Sequence, residues 1–216
     1  MDKKKINTVV NLLTREYPHA KVALHYSNAW EMLVATILSA QCTDARVNMV
    51  TAFLFKKYKR IEEYASANLR TFEQDIRSTG FYRNKAKNII GAAQIIVKKF
   101  AGKVPDSMQE LIKLPGVARK TANVVLYNAF SKSEGIAVDT HVRRISQRLG
   151  LTKRQDPDKI EQDLMALLSV KEWGRFSYLL IEHGRTVCLA QKPKCLVCVL
   201  QDICPAKNNF FPNSKT

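Results

Sequence analysis

Apolar residues recur at helical spacing along nearly the whole chain, and this periodicity is the feature that most constrains the fold. No stretch alternates apolar and polar residues clearly enough to predict a β-strand. Residues 28–40 are apolar on nearly all sides, which predicts a helix buried at the centre of a domain. The 216 residues suffice for one large domain or two small ones. We therefore expect an all-α protein.

Residues 107–130 predict a helix, a tight turn and a second helix. The pattern Ser107-x-x-Glu110 is a capping box that begins a helix, and Pro115-Gly116 ends it. The helix after the turn has its apolar residues spaced to form one buried face. The turn and the start of this second helix offer unpaired backbone N–H groups at the positive end of a helix dipole. That arrangement suits a phosphate group.

Lys120 and Asp139 are the two side chains best suited to take part in a reaction. Lys120 lies in the first turn of the second helix, opposite the apolar face, and so points out of the core. The helix dipole disfavours a cation there, although a lone surface lysine is usually only solvated. Asp139 precedes a helix and reads as an ordinary N-cap. A catalytic role for Asp139 requires Lys120 nearby in space, which periodicity does not show.

The charge balance is strongly positive. Lysine and arginine number 35 against 19 acidic residues, giving a net charge of +16 and a pI near 9.8. This predicts a polyanionic partner, either nucleic acid or an anionic membrane surface. No apolar run reaches the ~18 residues of a membrane span, and the N-terminus does not have the pattern of a signal peptide. We expect an intracellular protein.

Four cysteines form a C-x6-C-x2-C-x5-C run of Cys188, Cys195, Cys198 and Cys204. Disulfides are rare inside cells, so this cluster predicts a metal centre. Four thiolates can ligate a 4Fe–4S cluster. A structural zinc ion is the alternative, but four-cysteine zinc sites usually show two C-x2-C pairs and this run has one.

The chain resembles the endonuclease III family, bifunctional DNA glycosylases of the helix-hairpin-helix superfamily. The resemblance is carried by LPGVARKTANVV, by VDTHV, by the upstream segment ILSAQCTDARVN and by the four-cysteine run. It covers essentially the whole chain. At one position the sequence departs from the family, since the hairpin usually reads LPGVG and Ala118 replaces the second glycine. Alanine still supplies an amide, so we expect phosphate binding to survive unless that position requires positive φ.

The resemblance implies a two-domain helix-hairpin-helix glycosylase fold. A six-helix barrel would span residues 22–131, with the helix-hairpin-helix at about 107–130. A second helical domain would combine residues 1–21 and 132–216, with an iron–sulfur loop at 188–204. The 4Fe–4S cluster would shape this loop and take no part in the chemistry.

The resemblance also implies the activity. The enzyme would remove oxidised pyrimidines from duplex DNA in base-excision repair, then nick the abasic site by β-elimination through a Schiff base on Lys120. Asp139 would stabilise positive charge on the sugar, facing Lys120 across an interdomain cleft. We expect a monomer that acts on double-stranded DNA containing damaged pyrimidines or abasic sites. We do not expect it to bind a membrane. In a prokaryote it would lie in the cytoplasm with the nucleoid.

By the family pattern, the target base is flipped out of the duplex, Gln41 fills the vacated space, and Phe81 is an apolar wedge. His141, Lys192 and Lys194 would contact backbone phosphates. The other expected DNA contacts are Asp44, Leu114, Gly116, Ala118, Lys120 and Thr121. Two alternatives stay open. One is a monofunctional adenine-removing relative, although that branch lacks the lysine at position 120. The other is a non-catalytic helix-hairpin-helix DNA-binding module with a structural or redox cluster.

Overall fold

The computed structural model describes residues 3–210, and within that range all regular secondary structure is helical. The all-α prediction is confirmed. The helices are α1 (Lys3–Glu16), α2 (Ala29–Leu38), α3 (Asp44–Lys57), α4 (Ile61–Ala65), α5 (Leu69–Asp75), α6 (Tyr82–Phe100), α7 (Met108–Leu111), α8 (Arg119–Phe130), α9 (Thr140–Arg148), α10 (Pro157–Leu167), α11 (Val170–Thr186) and α12 (Lys207–Phe210). Short 3-10 turns occupy Arg77–Thr79 and Cys195–Val197.

The chain divides into two compact units. One is Ala23–Glu134, and the other combines the residues up to Val22 with those from Gly135 onward. The resemblance to the family implies a six-helix barrel at residues 22–131. No helix between residues 3 and 210 combines the length and apolar composition that a membrane crossing requires.

The unit Ala23–Glu134 contains α2 to α8, six of them with five or more residues and α7 with four. Helix α2 is buried along nearly its whole length and packs against α3, α6 and α8. Helices α4 and α5 pack against α6. A helix as apolar as α2 is stable only when surrounded in this way.

Side-chain caps explain where several of these helices begin. Asn28, Thr43 and Asn68 each accept a backbone N–H three residues further on, which satisfies one unpaired donor of α2, α3 and α5. Helix α6 begins at Tyr82, directly after the positive-φ residue Phe81.

The predicted capping box at Ser107 was wrong. The Ser107 side chain makes no cap hydrogen bond, and the helix that follows, α7, has only four residues. Glu134 accepts the Met108 N–H at 3.0 Å instead. Ile112, which follows this short helix, is 44% exposed. The carboxylate of Glu134, 26 residues away, therefore caps α7 in place of the Ser107–Glu110 pair.

The second unit has its own apolar core, in which α1 packs against α11 and α11 against α9. Its most buried members include Ile6, Val9, Leu13, Val142, Ile145, Leu164, Phe176 and Leu180. Leu200, from the cysteine-rich segment, joins this core at 1% exposure. Ser169 and Glu172 form a capping box, so α11 begins at Val170.

Candidate active site and metal centre

The hairpin between α7 and α8 requires glycine at position 116. Gly116 has a φ of +77°, a conformation that L side chains rarely adopt. A Cβ there would lie 2.8 Å from Asn88 Nδ2 and 2.9 Å from Asn88 Cβ. The backbone can therefore make this turn against α6 only with glycine. Leu114, an expected DNA contact, is 3% exposed, so its side chain is part of the core and only its backbone is available.

Ala118 occupies the position where the family usually has its second glycine. Its φ is −93° and its ψ is 172°, an ordinary extended conformation at the N-cap of α8. Alanine cannot cap the helix with its side chain, and α8 has no side-chain cap. The first N–H groups of α8 consequently have no intrahelical acceptor and lie at the positive end of its dipole. They form a site suited to an anion, and the extended backbone at Ala118 accommodates a Cβ without strain.

Lys120 is the second residue of α8. Its side chain is exposed, while Ala122, Val125 and Leu126 on the opposite face are fully buried. Lys120 forms no ion pair with any residue in the range 3–210. Thr121, beside it, is half-buried. The amine of Lys120 is thus available to a bound molecule, as the helical periodicity predicted.

Asp139 is the N-cap of α9, and its carboxylate is held firmly. Oδ1 accepts the N–H groups of His141 and Val142, both at 2.8 Å, and Oδ2 lies 3.0 Å from His141 Nδ1. Only 19% of the Asp139 side chain is exposed. The N-cap prediction is confirmed. The contact with His141 was not foreseen, although a histidine two residues after a capping Asp is well placed to make it.

Lys120 and Asp139 belong to different units, Ala23–Glu134 and the unit that includes Gly135 onward. In the first unit, Gln41 and Phe81 lie on separate loops with positive φ, 52° and 47°. Both side chains are exposed, Phe81 at 63%. Asp44, the first residue of α3, is half-buried.

The four cysteines of the C-x6-C-x2-C-x5-C run line a single recess. All four are half-buried free thiols, and Leu149 and Leu200 form part of the apolar lining. No group of three or more His, Cys, Asp or Glu side chains within residues 3–210 is spaced to hold a single metal ion. Four cysteine thiols that share one recess provide the ligands that an iron–sulfur cluster requires.

Two arginines of α9 bind the segment that carries the first cysteine. Arg148 donates to Cys188 Sγ at 3.3 Å and to the carbonyl oxygens of Leu189 and Ala190 at 2.7 and 2.8 Å. Arg144 donates to the Cys188 carbonyl at 2.9 Å. Its partners are some 40 residues away, and no local pattern indicates them.

His183 supports the recess from inside the core. Burial lowers the pKa of His183 to about 4, so the ring is neutral at neutral pH. Its Nε2 lies 3.4 Å from Cys198 Sγ, and its Nδ1 lies 3.0 Å from the Tyr17 hydroxyl. A neutral ring carries one N–H and a thiolate can only accept, so the N–H faces Cys198 when the thiol is deprotonated. Tyr17 then donates to Nδ1.

Lys192 and Lys194 are both exposed on the loop between the first two cysteines. Lys192 has a φ of 48°, and the Lys194 N–H donates to the Val187 carbonyl at 3.0 Å. Any group bound by the cysteines therefore also fixes these two cations.

Comparison with known proteins agrees with this geometry. Residues 34–169 match the HhH-GPD superfamily of base excision DNA repair proteins, and residues 188–204 match the iron–sulfur binding domain of endonuclease III. Endonuclease III of Synechocystis sp. is 52% identical over 94% of this chain and 93% of its own length. That of Bacillus subtilis is 46% identical over 93% and 92%.

Solved structures give the same result. A non-covalent endonuclease III–DNA complex matches with a TM-score of 0.92 and 42% identity, over 97% of this chain and 98% of that one. A trapped covalent endonuclease III–DNA intermediate matches equally well. The chain therefore belongs to the endonuclease III family of the HhH-GPD superfamily, and is a bifunctional DNA glycosylase and AP lyase that carries a 4Fe–4S cluster.

Proposed function

We propose that this protein removes oxidised pyrimidines from duplex DNA and then cleaves the strand at the abasic site, with Lys120 as the nucleophile. The observation that carries this proposal is the exposed amine of Lys120, one turn from a hairpin whose backbone N–H groups can hold a phosphate. A similar endonuclease III chain has been trapped as a covalent DNA intermediate. An amine is the group that bonds to a sugar in this way.

In this proposal, Lys120 Nζ forms a bond to C1′ of the sugar as the N-glycosidic bond breaks. The base leaves with the bonding electron pair and takes up a proton. The nitrogen loses a proton as the sugar ring opens, which gives a Schiff base. The imine acidifies C2′, and loss of that proton expels the 3′ phosphate. Water then hydrolyses the imine and releases Lys120.

Asp139 stabilises the positive charge that develops on the sugar while the base departs. Its carboxylate suits this role because two backbone N–H groups and His141 fix its orientation. The proposal requires Asp139 and Lys120 to face the same cleft when DNA is bound.

The target nucleotide reaches that cleft by leaving the base stack. Gln41 fills the vacated space, and Phe81 wedges between neighbouring bases. Both side chains are exposed on loops, which suits this insertion. Asp44 is a further candidate contact because it begins α3, three residues after Gln41.

The hairpin grips the strand through its backbone. The N–H groups around Gly116, Ala118 and Thr121, with the backbone of Leu114, surround a phosphate at the N-terminus of α8. His141 contacts a second phosphate in this proposal. The net charge of +16 supplies the long-range attraction to DNA.

The 4Fe–4S cluster is held, in our proposal, by Cys188, Cys195, Cys198 and Cys204. When bound, it supplies a rigid cross-link in a segment that has little core of its own. The loop between the first two ligands then presents Lys192 and Lys194 to the DNA backbone.

Borohydride trapping tests the nucleophile. Wild-type protein incubated with abasic duplex and borohydride should form a covalent protein–DNA adduct. Lys120→Gln should form none, because an amide cannot make the imine. The matched control is Lys113→Gln, an exposed lysine on the other side of the hairpin, which should trap like wild type.

Trapping by Lys120→Gln at the wild-type level would overturn the assignment. If wild-type protein binds abasic duplex but forms no adduct, the proposed Schiff-base step is contradicted. A panel of duplexes carrying different lesions tests the substrate class, and oxidised pyrimidines should be released faster than adenine. We expect a monomer that acts at the nucleoid, in the cytoplasm of a prokaryotic cell.

A further inference from the structure

Lys85 is a buried lysine in the first turn of α6. Its exposure is 4%, and its Nζ donates two hydrogen bonds of 2.8 Å each. One acceptor is the carbonyl of Leu38, the last residue of α2. The other is the carbonyl of Thr79, the last residue of the 3-10 turn. One ammonium group thus joins the ends of two segments that are 41 residues apart in sequence, from position 38 to position 79.

Burying an ammonium group is unfavourable unless something offsets the loss of water. Burial lowers the pKa of Lys85 for this reason. No carboxylate in the range 3–210 forms an ion pair with Lys85. The compensation comes from the two carbonyls, which lie at helix ends where they lack intrahelical donors and where the dipole is negative. A cation held at this cost indicates a specific role for the contact.

The two carbonyls lead directly into the loops that carry Gln41 and Phe81. Gln41 follows Leu38 by three residues and has a φ of 52°. Phe81 follows Thr79 by two residues and has a φ of 47°. Residues other than glycine hold positive φ only where surrounding contacts impose it. The hydrogen bonds of Lys85 are contacts of this kind, at the base of both loops.

We propose that Lys85 is a positioning residue that holds the Gln41 and Phe81 loops in one fixed arrangement, ready to enter the duplex together. The inference rests on the proposed function, in which both side chains insert when the base leaves the stack. Loops that are fixed before binding lose less conformational freedom when they insert. Lys85 acts through the two loops and does not touch the DNA itself.

The proposed role of Lys85 matters for duplex DNA but not for single-stranded abasic DNA. Extruding a base from duplex DNA requires the loops, whereas an abasic sugar in single-stranded DNA needs no extrusion. Lys85→Met keeps the apolar stem and removes both hydrogen bonds. It should slow release of an oxidised pyrimidine from duplex roughly tenfold to hundredfold, as expected for lost hydrogen bonds to a charged donor. Borohydride trapping on a single-stranded abasic oligonucleotide should stay within about threefold of wild type.

Lys98→Met is the matched control, because Lys98 is an exposed lysine at the other end of α6. It should behave like wild type on both substrates. Equal losses by Lys85→Met on duplex and single-stranded DNA would overturn the proposal, because they would indicate a general loss of structure. Unchanged release from duplex would overturn it as well.

A double-mutant cycle with Phe81→Ala tests whether Lys85 acts through the loop. In the Phe81→Ala background, Lys85→Met should reduce duplex activity by less than about threefold, because coupled residues are non-additive. Full additivity would show that Lys85 does not act through Phe81. Where Lys85→Met does not fold, Lys85→Gln replaces it, since its amide can still donate to one carbonyl.

A binding readout keeps this test independent of Lys120. A duplex carries 2-aminopurine beside a stable abasic analogue, so its fluorescence rises when the neighbouring stack is disrupted. Wild type and Lys98→Met should both raise the fluorescence, and Lys85→Met should raise it less at saturation. An equal rise with Lys85→Met would overturn the inference. This measurement forms no covalent bond, so failure of the nucleophile assignment would leave it unaffected.

Discussion

Gly116 and Ala118 lie two residues apart in the same hairpin. The backbone at position 116 excludes a Cβ, whereas the backbone at position 118 tolerates one. Gly116 combines a φ of +77° with the close approach of Asn88, whereas Ala118 has an extended backbone at the N-cap of α8. The family's usual glycine at the second position is therefore not required by the backbone of this protein. Conformation alone decides which of the two positions tolerates a Cβ.

Gly116→Ala should lower the free energy of unfolding by about 2 kcal/mol or more, through the positive φ and the clash with Asn88. It should also weaken binding to abasic duplex, since the phosphate-facing backbone has to shift. Ala118→Gly is the matched control, with a change below about 1 kcal/mol and DNA affinity near that of wild type. Urea denaturation and fluorescence anisotropy measure the two quantities. Equal tolerance at both positions would contradict the role given to the turn.

Asp139→Asn separates helix capping from catalysis. The amide oxygen of asparagine can still accept the N–H groups of His141 and Val142, so stability should change by less than about 1 kcal/mol. The negative charge is lost, and single-turnover release of an oxidised pyrimidine should fall about a hundredfold or more. DNA affinity should be retained. Turnover equal to that of wild type would remove Asp139 from the chemistry.

Helix α9 links the proposed catalytic carboxylate with the cluster-binding segment inside one unit. It starts after Asp139 and ends at Arg148, whose guanidinium contacts the Cys188 sulfur and two nearby carbonyls. The planar guanidinium of Arg148 forms these three hydrogen bonds simultaneously, which a lysine ammonium could not do. The same guanidinium stacks 4.7 Å from the Phe210 ring centroid.

Arg148→Ala should therefore lower the iron content of the purified protein and speed the loss of its visible absorbance in the presence of a chelator. The Cys188 segment loses three hydrogen-bond donations that orient the first ligand. Arg143→Ala, an exposed position on the same helix, is the matched control and should keep a full iron complement. If Arg148→Ala retains iron as well as the control does, α9 has no part in holding the cluster.

Sequence patterns predicted the elements whose causes are local. The buried helix α2 and the uncapped start of α8 after the Pro115-Gly116 turn both follow from residues within a few positions of one another. The cysteine spacing likewise predicted a metal centre, and the four thiols line one recess. These features depend on period, capping and turn chemistry, which the chain carries along its length.

Features that depend on distant partners could not be predicted. Glu134 caps α7 from 26 residues away, and Arg148 contacts Leu189, 41 residues away. Lys85 donates to Leu38, 47 residues away, and also to the nearby Thr79. In the sequence, Lys85 and Arg148 look like ordinary helical cations. Only one signal was available: Lys85 precedes Ile89 by four residues and so shares the buried face of α6.

At the scale of the whole molecule, the dominant property is the positive charge. Binding that neutralises phosphates releases counterions, and the logarithm of the affinity then falls with the logarithm of salt by about 0.9 per phosphate contacted. Lys192 and Lys194 are exposed on one loop and should each contribute to that slope. The positive charge therefore governs the salt-dependent affinity with which the protein binds undamaged DNA, whereas side chains of the two units carry out the reaction at a lesion.

Replacing Lys192 and Lys194 together by Gln should reduce the steepness of the salt dependence by up to about 2, uniformly across DNA sequences. Lys98→Gln, on α6, should leave the slope unchanged. Binding titrations of undamaged duplex over a range of salt concentrations measure this. An unaltered slope in the double variant would show that the cysteine loop does not touch phosphate.

The central claim is that one lysine, at the N-terminus of α8, forms the bond to DNA. The most direct measurement is peptide mapping by mass spectrometry of the wild-type protein trapped on abasic duplex with borohydride. The account predicts that the reduced sugar adduct lies on Lys120 alone. An adduct on another lysine, or on the N-terminal amine, with Lys120 unmodified would contradict it.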